Sequence, residues 1–397
     1  MSVDTKAAVA RLMRFLAIQG ITGEEEAIGR EIAATLQELG VPAGAIRLDE
    51  ANARIPLPTQ TGNLIVDLPG RGALHNQPRL LFMTHMDTVP LCAGAKPKIQ
   101  GRKIVNTVKT ALGGDNRTGC AVLVTLAAEL ARQQLDHPPI TLLFCVREES
   151  GLWGARYVDK ADLGAPVMAF NYDGGSANNV VVGAVGADRW EVEIFGRASH
   201  AGGAPERGIS STMILGLALA EVQAGGWFGK VVKGKKQGTS NVGPVTGGDG
   251  RPAGDATNVV TDYVHVRGES RSHDPKFFKQ ITAAYKAAFE KAAKKVKNSE
   301  GRTGRIKFKV QTDYHPFRIK DTLPVVRRAV AAVTEGGGTP NIRATNGGLD
   351  ANWMVRHKIP TVTFGAGQNE AHTIDEWINL DEFERGCALA VRLATMR

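Results

Sequence analysis

The residues able to do chemistry stand at the ends of apolar runs. His85 and Asp87 follow LLFMT in the stretch THMDTVP, and Asp115 lies in the glycine-rich turn GGDNRTG ahead of a helical stretch. Glu148 and Glu149 close ITLLFCVREE, and Asp173 closes VMAFNY before two glycines. His372 comes after PTVTF and a second glycine-rich loop, in NEAHT. Taken singly, each has a plain explanation: a His or Asp at a strand end is a turn former or a cap, and Asp115 alone would serve as an N-cap. Taken together, two histidines and at least three carboxylates at one edge would repel and desolvate badly without cations. A pair of divalent metal ions resolves that cost. Imidazole with carboxylate and no thiolate suits zinc, cobalt or manganese rather than a structural cysteine site.

Such a cluster needs a frame. Residues 5–19 have a helical apolar period, and Thr22 with Glu25 forms a T-x-x-E capping box ahead of a second helix ending near Gly40. Short apolar runs follow at 63–68, 79–84, 140–146 and 167–172, with helical stretches at 117–135 and 152–158. Buried strands alternating with helices predict an α/β fold, a sheet flanked by helices on both faces, with reacting groups beyond the carboxyl ends of the strands. After about residue 184 the texture changes to strand-helix-strand-strand-helix-strand. It includes a long helix over 274–297 whose apolar positions Phe277, Ile281, Tyr285, Phe289, Ala292 and Val296 follow a period near 3.6. From about residue 314 the first texture returns, with helices at 321–336 and 380–396 and a strand at 360–364. The expected organisation is a catalytic domain in two pieces, 1–184 and 314–397, with a smaller α+β domain inserted over 185–313.

T-H-x-D-T-V-P, G-G-D-N-x-x-G, R-E-E-S-G, Y-D-G-G, R-A-S-H-A-G and E-A-H-T occur in that order between residues 85 and 372. The series resembles the co-catalytic zinc peptidases that include peptidase T, carboxypeptidase G, the aminoacylases and succinyl-diaminopimelate desuccinylase. Aspartate at 173 is closer to the peptidase T branch, because the acylases and the desuccinylase generally place Glu there. The resemblance implies a zinc-exopeptidase-like catalytic domain with a mixed sheet, and an insert acting as dimerisation and lid domain. It implies that His85 and Asp173 hold one metal, Glu149 and His372 the other, that Asp115 bridges both, and that the Asp115–Asn116 peptide bond, as often in that family, is cis. Asp87 would orient His85 and raise its basicity. Glu148 would be the general base for attack by metal-bound hydroxide and would pass the proton to the leaving amine.

In the insert, the resemblance matches His200 to a histidine that reaches across a dimer to stabilise the oxyanion, and Asn258 and Arg271 to positions that touch substrate. Arg271 could hold a carboxylate or be a solvated surface arginine. Gly347, Gly348 and Asp350, in NGGLDANW, resemble a catalytic-domain loop lining the substrate pocket, where Leu349 replaces the usual Ser or Thr. Asp350 could pair with an amine. His137, His265 and His273 read as loop, surface or packing residues, and the glycine runs at 247–250 and 335–338 read as turns, lacking the GK[ST] of a phosphate loop. No Ser or Cys sits in a nucleophile elbow.

Composition bounds the remaining classes. With 397 residues and 43% hydrophobic content the chain can bury sizeable cores, so disorder is excluded and two domains are expected. The formal charge is +9, and residues 228–310 alone carry an excess of 11 basic groups, so the remainder is slightly acidic. Basic charge confined to the insert reads as a solvated helix face and a field favouring carboxylate-bearing peptides, not as a nucleic-acid surface. No membrane span and no signal peptide are expected, and Cys92, Cys120, Cys145 and Cys387 read as reduced thiols in a cytoplasmic protein. The leading expectation is a two-metal aminopeptidase or tripeptidase acting on short peptides as a homodimer through the insert. The alternatives are a deacylase or carboxypeptidase of the same chemistry and, from a different class, a non-catalytic peptide-binding protein.

Overall fold

The computed structural model describes residues 2–248, 252–254 and 256–397, so the 247–250 turn lies partly outside the described residues. The chain divides into two compact units. The first comprises residues 1–183, 318–345 and 349–397, and the second comprises 184–317 and 346–348.

The first unit is built on a mixed sheet with helices packed against it. Its strands run in the order Ile46–Leu48, Leu64–Leu68, Ile140–Cys145, Leu80–His85, Met168–Tyr172, Thr361–Phe364 and Asn179–Ala184, with Phe317–Arg318 at one edge. Leu80–His85 is parallel to Ile140–Cys145 and to Met168–Tyr172, and Thr361–Phe364 is parallel to Met168–Tyr172. All six residues of Leu80–His85 and all six of Ile140–Cys145 are buried. That explains why these strands read as unbroken apolar runs, since a central parallel strand has no solvent face. The register aligns their carboxyl ends: His85 stands opposite Cys145, and Tyr172 opposite Phe364.

The helix Gly114–Arg132 is buried on nearly every face, as its all-round apolar sequence requires. At its start, Arg117 is 2% exposed. Its guanidinium donates to the backbone carbonyls of Phe15, Ile18, Gly20 and Met86, and so satisfies the buried charge without a carboxylate in contact. The N-terminal helix Thr5–Leu16 is capped by Asp4, and the C-terminal helix Leu380–Thr395 by Asn379, which accepts from Asp381 and Glu382 N–H. A smaller sheet joins Gln368–Asn369, Trp377–Asn379, Lys103–Asn106 and Pro97–Gln100, so residues 370–376 form the loop of a hairpin.

The second unit is an antiparallel sheet in the order Gly229–Lys233, Lys236–Thr246, Tyr263–Ser272, Gly186–Phe195 and Arg305–Tyr314. Trp190, Val192, Ile194, Val264 and Val266 share a core with Ile214 and Ala218 of the helix Ser211–Ala224 and with Ile281, Tyr285 and Phe289 of the helix Pro275–Lys295. The expected element string lacked one strand. The hairpin at 229–246 carries Gly, Lys, Thr and Ser in place of a clear apolar alternation, so periodicity does not mark it. Among the described residues, no helix is long and apolar enough to cross a membrane.

Candidate metal centre

His85 ends its strand 2% exposed. Its Nε2 lies 3.2 Å from Asp115 Oδ1 and 3.9 Å from Asp173 Oδ1. Its Nδ1 lies 3.1 Å from the Asp87 carbonyl and 3.3 Å from Asp87 Oδ1. Two acceptors around Nδ1 hold a proton there, so an ion entering between the acids would take the place of the Nε2 proton. Asp115 stands in a first helical turn that departs from helical dihedrals at Asp115 and Asn116, residues joined by a cis peptide bond. Its Oδ2 lies 3.3 Å from His372 Nε2, which is also 2.9 Å from Glu149 Oε2. The carboxylate of Asp115 therefore turns one oxygen to each histidine.

Among the described residues, the ligand atoms of His85, Asp115 and Glu149 lie within 4.8 Å of one another, and so do those of His85, Glu148 and Asp173. Glu148, expected as a base beside the metals, thus also falls within ligand distance of one group.

Buried carboxylates hold the backbone that carries these groups. Asp87, fully buried, accepts from Glu148 N–H through Oδ1 at 3.0 Å and from Glu149 N–H through Oδ2 at 3.2 Å. Glu25, also fully buried, accepts from Arg147 N–H at 3.0 Å and Gly23 N–H at 2.7 Å. Three successive amides, 147 to 149, are therefore fixed by two carboxylates. This corrects the capping box expected at Thr22 and Glu25. The helix starts at Glu26 with no side-chain cap, because the Glu25 carboxylate is spent on Arg147 and the Thr22 hydroxyl pairs with Ser150.

The electrostatics follow from crowding. Burial raises the Glu148 and Asp173 carboxyls well above their usual range, with neighbouring carboxylates adding to it, and burial beside Asp115 raises Glu149 to about 7. Burial also favours the neutral form of Asp115, yet hydrogen bonds from His372 and His85 outweigh it and hold Asp115 well below the usual range. His372 is raised to about 10 by its hydrogen bonds to Asp115 and Glu149. Burial disfavours a charged His85, but Glu148, Asp115, Asp87 and Asp173 together raise it well above 6.5. Protons on the two rings supply positive charge that the acids otherwise lack.

The other candidates divide between the two units. His200, exposed in the second unit, accepts at Nδ1 from Gly202 and Gly203 N–H, which puts its proton on Nε2. Asn258 is beside it, its carbonyl accepting from Ala201 N–H. Arg271 is not a solvated surface arginine: its guanidinium forks onto Glu269, with contacts of 2.8 and 2.9 Å. Gly348 and Asp350, expected on one loop, fall on either side of the division between the units. Residues 346–348 belong to the second unit, and a Cβ at Gly348 would come 2.5 Å from the Tyr314 ring, whereas Leu349 and Asp350 belong to the first. Asp350 is 1% exposed beside the Cys145 thiol, without another hydrogen-bond partner among the described residues, and burial raises it to about 7. That burial does not suit direct contact with a substrate amine.

Sequence reasoning missed Glu25, Arg117, Asn116 and Glu376. Asn116 donates to the Tyr172 carbonyl at 2.6 Å and accepts from Gln368 at 2.8 Å, which ties the Asp115 turn to two strand ends. Glu376 accepts three backbone N–H groups from the segment before Asn116. No spacing rule marks these residues, since their partners are backbone groups far away in sequence.

A sequence model of peptidase family M20/M25/M40 matches residues 81–396, which take in every residue of the cluster. The chain belongs to that family. The structure of aminopeptidase PepT from Bacillus cereus ATCC 10987 is 30% identical to this M20 peptidase with a TM-score of 0.79, covering 99% of this chain and 98% of that one. A tripeptidase from Staphylococcus aureus subsp. aureus Mu50 is 25% identical with a TM-score of 0.85, covering 100% of this chain and 99% of its own. Carboxypeptidase G2 of Pseudomonas sp. (strain RS-16) is 26% identical over 98% of this chain and 89% of its own. Family membership, with these peptidase T-type likenesses, identifies the M20 peptidase as a metal-dependent exopeptidase.

Proposed function

We infer that the chain hydrolyses the amide bond of short peptides next to a free amino terminus, as an aminopeptidase or tripeptidase. The observation that carries this is Asp115, with Oδ1 toward His85 and Oδ2 toward His372. A carboxylate shared by two imidazoles on opposite sides suits a bridge between two divalent cations. The donor set of nitrogen and carboxylate oxygen, with several acids buried together, fits zinc first and cobalt or manganese after it. Such ions, when bound, lower the pKa of a water molecule and polarise the scissile carbonyl.

In this reading His85 and Asp173 hold one ion, Glu149 and His372 the other, and Asp115 both. Glu148, ionised once cations neutralise the neighbouring acids, would take a proton from water at its carboxylate and release it to the leaving amine. Asp87 keeps the proton of His85 on Nδ1 and the amides of Glu148 and Glu149 in place. His200, with Nε2–H outward, supplies a donor to the oxyanion in a partner copy. Asn258 and Arg271 remain candidates for substrate contact, and the Arg271 fork would have to be shared between Glu269 and a substrate carboxylate.

The homodimer belongs to the same proposal. The helix Ser211–Ala224 is apolar around its circumference, and Met213 is 55% exposed on it. The four cysteines are buried and unpaired, in keeping with a reducing cytoplasm.

The likeness to carboxypeptidase G2 favours a second reading, cleavage beside a free carboxylate, and an N-acyl amino acid deacylase is its close variant. Turnover of a panel of tripeptides, dipeptides, amino-terminally blocked peptides and N-acyl amino acids separates them. Hydrolysis that requires a free amino terminus is the expected result. Turnover of only the blocked or acylated compounds would show the first reading to be wrong.

A further inference from the structure

Glu376 is a carboxylate 3% exposed, and burial raises its pKa even though three amides point at it. Its Oε2 accepts from Leu112 N–H and Gly113 N–H, both at 2.8 Å, and its Oε1 accepts from Asp115 N–H at 3.0 Å. A buried carboxylate with no cationic partner is costly, and three backbone donors offset that cost only in one arrangement of the turn. The turn fits closely. Gly113 has φ +83°, a conformation that favours glycine, and a Cβ on Gly114 would come 2.8 Å from Ile378 Cγ1 and 3.1 Å from Glu376 Oε1.

Glu376 also ends the hairpin loop that carries His372, four residues earlier. One segment therefore supplies His372 to the outer oxygen of Asp115 and grips the Asp115 backbone through Glu376. The two attachments span the side of the centre that faces Glu149. The opposite side has its own support, since His85 is held by Asp87.

We propose that Glu376 is a positioning residue that fixes Asp115 against His372 and Glu149, and so sets the affinity of the metal position on that side. The proposal rests on the two-metal reading given above. In Glu376→Gln an amide nitrogen must face at least one of the three N–H groups, so the grip on the turn is weakened with little change in volume.

The test titrates wild-type and Glu376→Gln chains with Co(II) against a chromogenic chelator, and follows the visible Co(II) absorption and peptide turnover. Wild-type protein is expected to take up two ions. The variant is expected to keep one at near wild-type affinity and to bind the second about 10- to 100-fold more weakly, with an altered Co(II) spectrum. Its kcat should fall while KM stays close to wild type. Two ions of unchanged affinity with an unchanged spectrum overturn the role of Glu376 alone. A wild-type chain that takes up no pair of ions overturns the two-metal reading with it. If Glu376→Gln does not fold, Gly114→Ala carries the test, because its Cβ lifts the turn off an intact Glu376. The same weakened second ion is expected, and unchanged affinity overturns the proposal.

Discussion

Asp87 Oδ1 lies 3.3 Å from His85 Nδ1 while accepting the Glu148 amide at 3.0 Å, so one buried carboxylate orients both the proposed ligand His85 and the residue expected to move the proton. Asp87→Ala would leave His85 Nδ1 only the backbone carbonyl of residue 87 and two buried amides without the carboxylate they donate to. Metal affinity should drop about 10- to 100-fold, with a matching loss of activity at limiting metal. Chelator competition measures it, and an Asp87→Ala protein with wild-type affinity would show that His85 needs no such support.

Glu148 is the group assigned to proton transfer. Glu148→Gln should lower kcat by about 10²- to 10⁴-fold while both ions stay bound. Elemental analysis of the purified variant beside its kinetics checks this. A variant that loses an ion along with activity would instead make Glu148 a ligand, as its distance to His85 and Asp173 allows.

Metal uptake should release protons. Without metal, His372 is raised to about 10 and Glu149 to about 7, so near neutrality the ring holds a proton and Glu149 holds one part of the time. An ion must displace them, so affinity falls as pH is lowered. Calorimetric titrations in two buffers of different ionisation enthalpy report the number of protons, and heats independent of buffer would contradict this.

Removing the metal should cost stability as well as activity. A ligand present at about 100 times its dissociation constant contributes about 2.7 kcal/mol to folding. Thermal melts with and without chelator should differ by several degrees, with Zn(II) restoring both stability and turnover. Equal melting with full loss of activity would mean that the acid cluster is stable on its protons alone.

Met213→Glu places a charge on the exposed apolar side of the Ser211–Ala224 helix. It should convert a dimer to monomer by light scattering, with kcat lost if His200 acts in a partner copy. A monomeric wild-type chain with full activity would remove both ideas.

The cluster was readable in the sequence because parallel strands are unbroken apolar runs and their ends are where polar residues resume: His85, Glu148, Glu149 and Asp173 each sit at such a transition. Asp115 and His372 lie further from the strand ends, in glycine-rich stretches, and only the resemblance assigned them as bridge and ligand. Residues that act on the backbone stayed hidden. Glu25 resembled a helix cap because capping acids and loop-gripping acids share one local pattern, and only the fold places Arg147 within its reach. The burial of Asp350 was hidden for a related reason: nothing in NGGLDANW shows that the turn carries the carboxylate inward against Cys145. The hairpin at 229–246 escaped because cross-strand pairing, not alternation, holds it.

The carbonyls gathered by Arg117 set the smallest chain that can work. The family model begins at residue 81, but three of the four carbonyls that receive this guanidinium come from Phe15, Ile18 and Gly20. A chain trimmed to residue 81 would keep the ligands and leave a cation stranded in the interior, one turn from Asp115. Phe15, Ile18 and Gly20 thus form the counter-wall of the helix Gly114–Arg132.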